Sequence, residues 1–513
     1  MMRAGVNAFA LCAVLVLSCG CDLNFGSSGR FIPAPTAPEL SSPPVRVARL
    51  SYLKGPVSFR PAGSDIWTPA VLNRPLTSGD ELWTDAGGGA EVHLGFTAIR
   101  LGSKTDFGLL ELSDDAFQAK LTEGTTAIRM ERLEQGEVFE IDTPNASVAP
   151  TGAGEYRIAV TPASNSTDIV VRSGEIEVTN AKQAFEVGAG HRAHVNRSHL
   201  MNEIQAAPPL DEFDRFCRRR DSEEEGSESK KYVAGSVIGA YDLDGHGTWG
   251  LEPELGSYWT PRVDPGWAPY RFGRWAWIEA WGWTWIDDAS WGFAPFHYGR
   301  WKRMGNRWCW IPGKPGVPQV FAPALVVFVG RGSARSQFSD RVAKESVAWL
   351  PLGPGEVYVP AYQASRQYLM ELNAAIVNSP MLDEAAFARQ SYANRSVTDA
   401  ITAVPRQILT SGQPVGSSAI PVDARDAVEM KATGASPALV PRLESLSAWA
   451  AHGVRVPEPP TQNSERPVVM RRTPVISPAR FELTLPLLEA LPGKPLDRQT
   501  LDRLSRGIEE ERE

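Results

Sequence analysis

From Val45 to about residue 197 the chain is a succession of short runs in which apolar and polar residues alternate, broken by Gly, Asn, Asp or Pro every eight to twelve residues. Ala90-Glu91-Val92-His93-Leu94, Ile99-Arg100-Leu101, Val138-Phe139-Glu140-Ile141, Tyr156-Arg157-Ile158-Ala159-Val160 and Glu175-Ile176-Glu177-Val178 are examples. A period of two sends successive side chains to opposite faces of a strand. Each run therefore reads as a strand with one buried face. No amphipathic stretch of helix length interrupts the series, which argues against a parallel α/β sheet. The predicted class is all-β: a β-sandwich or roll here, then an aromatic-rich β module.

The runs also fall into an ordered series of motifs. Gly55-Pro56-Val57, Trp67 and Leu76-Thr77-Ser78-Gly79-Asp80-Glu81-Leu82-Trp83-Thr84 come first. Ala90–Leu94, Ile99–Leu101, Leu121-Thr122-Glu123-Gly124 and Phe139-Glu140-Ile141-Asp142-Thr143-Pro144 follow. Gly154-Glu155-Tyr156-Arg157, Val170–Val178 and Ala189-Gly190 close it. The series resembles a FecR-type domain over residues 45–197. Gly79-Asp80 suits a turn before a strand, and Thr143-Pro144 suits a strand end, where proline removes the ladder donor. The family takes its name from a periplasmic regulator that relays a signal to an inner-membrane sigma-factor switch. With no cytoplasmic segment or membrane span read in this chain, the resemblance implies the envelope β domain and not the signalling role.

Twelve of the sixteen tryptophans lie between Trp249 and Trp310. The stretch repeats itself: Ala268-Pro269-Tyr270-Arg271-Phe272-Gly273-Arg274-Trp275 aligns with Ala294-Pro295-Phe296-His297-Tyr298-Gly299-Arg300-Trp301. Trp283-Thr284-Trp285-Ile286 aligns with Trp308-Cys309-Trp310-Ile311. Trp-x-Trp puts two indoles on one strand face, so each unit reads as a β-hairpin, and the two units bury their aromatic faces together. With Tyr232-Val233, Leu243-Asp244, Trp349-Leu350-Pro351-Leu352-Gly353-Pro354, Tyr392-Ala393-Asn394-Arg395 and Ala400–Pro405, the segment resembles a domain of unknown function found in exported bacterial proteins, one that brings no activity with it.

Two readings compete for these rings. In one, exposed indoles stack on sugars while Arg271, Arg274, His297 and Arg300 bind hydroxyls or charges; the candidate ligand-binding residues are Trp275, Trp283, Trp285, His297, Arg300, Trp301, Trp308 and Trp310. In the other, preferred reading the rings are the core of a module poor in aliphatic residues, with arginines lying over them.

The N-terminus carries Arg3, an apolar run from Ala8 to Leu17, and Val16-Leu17-Ser18-Cys19-Gly20-Cys21. This reads as a signal peptide with a lipobox-like end, Cys19 being the expected lipid anchor and Cys21 the alternative. Export to the periplasm or outer membrane of a bacterial envelope follows as the expectation. A net charge of −8 argues against nucleic acid as a partner. Cys217 and Cys309 read as two buried thiols or, less readily, a disulfide. Asp242-Leu243-Asp244-Gly245-His246-Gly247 lacks the terminal acidic ligand of a calcium loop, since Pro253 stands there, and reads as a tight turn. His191, His194 and His199 do not share a strand face, and no metal site is expected. Asp287-Asp288 could be a glycosidase pair only in the weakest reading.

The expected organisation is therefore signal peptide 1–21, linker 22–44, FecR-type domain 45–200, charged linker or exposed helix 201–231, aromatic domain 232–410 and a mostly disordered tail 411–513. The expected function is non-enzymatic binding or scaffolding at the envelope. Its partner would be a glycan or an envelope protein, its only membrane contact the lipid, and it would need no cofactor. A sensory component resembling FecR is the alternative, and a polysaccharide-acting enzyme the third reading.

Overall fold

The computed structural model describes residues 42–196, 203–330, 345–377, 390–397, 399–447, 455–474 and 478–510. Cys19, Cys21 and His199 lie outside the described residues.

The alternating runs are strands: Gly89–Leu94, Thr97–Leu101, Val138–Asp142, Gly154–Thr161 and Glu175–Thr179. They belong to two sheets that share one strand of 15 residues, Ala116–Met130. Its first half pairs with Thr105–Leu112 and, in parallel, with Val138–Asp142. Its second half pairs with Thr97–Leu101 and Gly154–Thr161 in the other sheet. The chain changes sheets at Gly124, whose φ is 91°. A Cβ there would stand 2.3 Å from the Lys104 carbonyl oxygen, so only glycine takes the corner. Alternate residues of both sheets, among them Leu50, Phe59, Val92, Phe117, Leu121, Ile141, Ile158 and Val178, form one core.

Alternation predicts a wet opposite face, yet on the sheet containing Gly89–Leu94 that face is buried: Arg49, Glu91, His93 and Arg100 are all inaccessible. Part of the cover is the charged stretch 201–231, read from sequence as a solvated linker or exposed helix. It contains a helix, Glu212–Glu225, opened by a capping box between Asp211 and Asp214. The helix lies on the sheet through Arg100–Asp221 (2.6 Å), Arg220–Glu91 (2.8 Å), Arg157–Asp211 (2.6 Å) and Arg172–Asp214 (2.8 Å). Its Cys217 is buried against the sheet and Cys309 is buried in the aromatic domain; both are free thiols.

The rest of the cover is the aromatic domain. It has a four-stranded sheet in the order Gly247–Glu252, Gly256–Pro261, Arg307–Ile311, Arg300–Met304, a hairpin of Gly273–Ile278 with Gly282–Asp287, and a second four-stranded sheet. That last sheet runs Thr402–Pro405, Ser346–Pro351, Val326–Gly330, Lys431–Gly434. Its final strand lies inside the stretch expected to lack fixed structure. Other described parts of that stretch also pack: Val415, Leu446, Phe481 and Leu488 are in the aromatic domain's core.

Arg49 joins the two domains. It projects from the first domain, pairs with Asp242, donates to Asn73 Oδ1 at 3.0 Å and lies 5.0 Å from the centre of the Phe293 ring. Asn73 in turn donates to the carbonyls of Asp287 (3.0 Å) and Ala289 (2.6 Å). Gly239 makes room, since a Cβ there would sit 2.2 Å from the guanidinium. The Asp242–Gly247 stretch thus places its carboxylates on protein groups: Asp242 on Arg49, and Asp244 on the Glu228 and Ser229 amides at 3.0 Å each.

Removing one partner of a buried ion pair strands the other charge, at a cost of about 3–5 kcal/mol. Arg49→Met should lose stability of that order in chemical denaturation, and Arg49→Met with Asp242→Leu should recover most of it.

Candidate functional site

Both halves of the tryptophan repeat are hairpins. In the first, Trp275 faces Trp285 and Trp277 faces Trp283 across the strands. In the second, Trp301 faces Trp310 and Arg303 faces Trp308. Arg303 stands where the first unit has Trp277, and its guanidinium lies 5.8 Å over Trp308, so one indole pair has become a cation–π pair. The second hairpin also turns through Gly305-Asn306, one residue fewer than Glu279-Ala280-Trp281, which is why the repeat offset shortens after the turn. The hairpins lie in different sheets; Phe296 stands between them, with its ring centre 6.4 Å from Trp285 and 5.7 Å from Trp301.

The rings pack edge to face, as between Trp275 and Trp285 (5.5 Å, 72°), Trp275 and Trp349 (5.4 Å, 84°), and Trp277 and Trp283 (5.4 Å, 79°). None of Trp275, Trp283, Trp285, His297, Arg300, Trp301, Trp308 and Trp310 is more than 3% exposed. A sugar platform needs an open ring face, and these eight positions offer none. Several indole N–H groups have internal acceptors: Trp301 on Pro295 O and Trp310 on Tyr298 O, both at 2.8 Å. Arg300 is a structural ligand of the backbone, donating to Glu356 O (3.0 and 2.8 Å), Gly299 O (2.8 Å) and Asn373 Oδ1 (3.0 Å). Burial brings its pKa down to about 10. His297 bonds the Ala322 carbonyl through Nδ1 at 2.7 Å, and burial pushes its pKa down to about 3, so it is neutral.

The remaining sequence candidates are also engaged internally. Asp287 accepts from the Ala289 amide (3.0 Å) and Trp285 Nε1 (3.1 Å), and burial holds its carboxyl well above the usual range. It anchors a turn. His194 meets Asp168 at 3.0 Å. Among the described residues no three His, Cys, Asp or Glu side chains gather as metal ligands would.

A cavity of about 230 Å³ lies where both domains meet the C-terminal segment. The first domain contributes Arg74, Thr77, Asp80 and Leu112; the aromatic domain Trp277 to Trp281 and Tyr362; the C-terminal segment Leu446, Phe481, Leu496 and Leu501. Arg74 is 2% exposed, stacked 4.3 Å over Phe59, and burial brings its pKa down to about 10. Its Nε and Nη1 and the Trp281 indole nitrogen have no hydrogen-bond partner. Opposite them, Glu279 is satisfied by Trp277 Nε1 (2.9 Å) and the Leu496 amide (3.2 Å). Sequence reading passed over these residues. The available signal was Trp281, which falls in the turn of the first hairpin and has no counterpart in the second.

Residues 240–356 match the model of DUF6600, a family of unknown function. No curated protein matches the chain. Two crystal structures of a protein described as an anti-sigma factor from Parabacteroides distasonis ATCC 8503, at 1.65 and 2.50 Å resolution, are 18% identical to it. The similarity covers 32% of this chain and 72% of theirs with a TM-score of 0.23, too slight for an argument about function.

Two outcomes follow from this packing. Trp275→Ala should cost about 3–5 kcal/mol of stability, read by denaturant unfolding, because the cavity it leaves is walled by rings that cannot collapse. For His297 the unfolded imidazole takes a proton below about pH 6.5 while the folded one does not, so its stabilising contribution is complete above that pH and drains away as pH falls. Between pH 7 and 4.5 the loss from this residue should be about 2–3 kcal/mol. His297→Phe should shrink the pH-dependent part of the stability difference by that amount.

Proposed function

We propose that the protein is a non-enzymatic binding scaffold of a bacterial envelope, and that the cavity at the domain junction is its ligand site. The observation that carries this reading is one largely apolar cavity whose lining gathers the polar side chains of Arg74, Trp281 and Tyr362, with the Arg74 guanidinium as its buried cation. Ile278, Leu112, Leu446 and Phe481 supply apolar walls. The fitting ligand is a small molecule with an apolar body and a carboxylate or similar acceptor. Envelope placement rests on the N-terminal sequence, with Cys19 as the proposed lipid anchor, and on the FecR-type resemblance of the first domain. Among the described residues no helix is long and apolar enough to cross a membrane.

Trp277 and Trp281 line the cavity, so intrinsic fluorescence reports on it. Titration with octanoate should give a saturable change that Arg74→Met abolishes while circular dichroism stays native. Absence of any response, or a response to peptidoglycan fragments alone that survives Arg74→Met, would overturn the assignment.

A further inference from the structure

The first domain's second sheet turns its outer face to residues 457–472. On its strands Leu82, Phe107, Leu121, Phe139 and Ile141 point into the core, so the intervening positions point outward. They are strongly acidic: Glu81, Asp106, Glu111, Glu140, Asp142 and Glu177, against Arg60 and Lys120. Most of these groups are nonetheless buried, Asp142 completely and Asp106, Glu111 and Glu140 to within 3%.

A proline-punctuated segment of the chain lies across them. The Pro457 carbonyl accepts from Ser58 Oγ (2.6 Å), Asn463 donates to Glu123 (2.8 Å), and Arg466 reaches the Thr122 carbonyl (3.2 Å) and Asn165. Val469 N donates to Thr143 O at 2.9 Å, and Arg471 N to Glu140 Oε1 at 2.8 Å. The Arg471 side chain meets Glu177 (2.7 Å) and that of Arg472 meets Glu111 (3.2 Å), while the Arg472 carbonyl accepts from Gln118 (2.9 Å). Pro457, Pro459, Pro460, Pro467 and Pro474 keep most of the segment from becoming helix or ladder.

The fit is complementary in charge but incomplete in hydrogen bonds. Beneath the segment Asp106 Oδ1, Glu111 Oε2 and Gln118 Oε1 are buried acceptors without a donor. Burial, and for Asp142 the adjacent Glu140, raise the carboxyls of Asp106 to about 6 and Asp142 to about 9. Arg471 and Arg472 are themselves exposed, and exposed ion pairs hold weakly.

We infer that this acidic face is a docking surface for extended, arginine-bearing peptide segments, and that residues 457–472 occupy it in cis as a displaceable strap. A segment from another protein competes by supplying donors to the three orphaned acceptors. It must also beat the high effective concentration of the tethered strap.

The test uses the full chain and its Arg471→Glu, Arg472→Glu variant, with a fluorescein-labelled peptide of residues 463–474 as probe. Hydrogen exchange across 455–474 should quicken at least tenfold in the variant. The variant should bind the peptide in fluorescence anisotropy, more tightly as salt falls. The wild-type chain should bind it at least tenfold more weakly, and a peptide with its three arginines replaced by alanine should bind neither protein. Unchanged exchange in the variant, or release of the strap without peptide binding, would overturn the inference.

Discussion

The buried guanidinium of Arg49 is the constraint around which the two domains are arranged. Its charge has no access to water and draws partners from both domains, Asp242, Asn73 and the Phe293 ring, with Nε left without an acceptor. The sheet face around it is charged as well, with Glu91 held by Arg100, Arg220 and Ser51. Such a face is tolerable only while it is covered, because desolvated charges without partners are costly. The connector helix and the aromatic domain are therefore integral to the first domain's stability, and the described residues pack as one compact unit.

The aromatic domain solves a different problem. Its two tryptophan hairpins are short and poor in aliphatic residues, so rings supply their buried area, set edge to face where indoles meet across the first hairpin. Exchange of Trp277 for Arg303 between the two units keeps a cross-strand contact while changing its chemistry. The position on the second hairpin is half-buried and can carry a charge, whereas the first hairpin lies deeper.

Local pattern made some of this legible and distance hid the rest. The strands around Val92, Ile99, Ile141 and Ile158 could be read because alternation identifies the apolar face. Alternation says nothing about what covers the other face, so Glu91 and Arg100 read as wet and the stretch holding the Glu212–Glu225 helix as a solvated linker or exposed helix. The Trp-x-Trp hairpins were readable for the same reason, yet core and platform share one periodicity, and only the packing of Phe296 and Trp349 around the indoles separates them. Arg74 carried no local sign at all, since its cavity is assembled from three distant parts of the chain. The segment around Arg466 to Arg472 has neither periodicity nor apolar bulk. Its order comes from partners 294 to 361 positions away.

That separation bears on how the chain is made. A ribosome delivers residues from the N-terminus, and domains tend to fold as they emerge. The shared strand Ala116–Met130 lets both sheets of the first domain close early. Its acidic face then stays bare until the aromatic domain has followed, because the strap lies beyond that domain in the sequence. Contacts of such long range form late in folding. The nascent protein therefore passes through a stage with a completed β domain whose most charged surface is open, and the order of synthesis itself decides what meets that surface first.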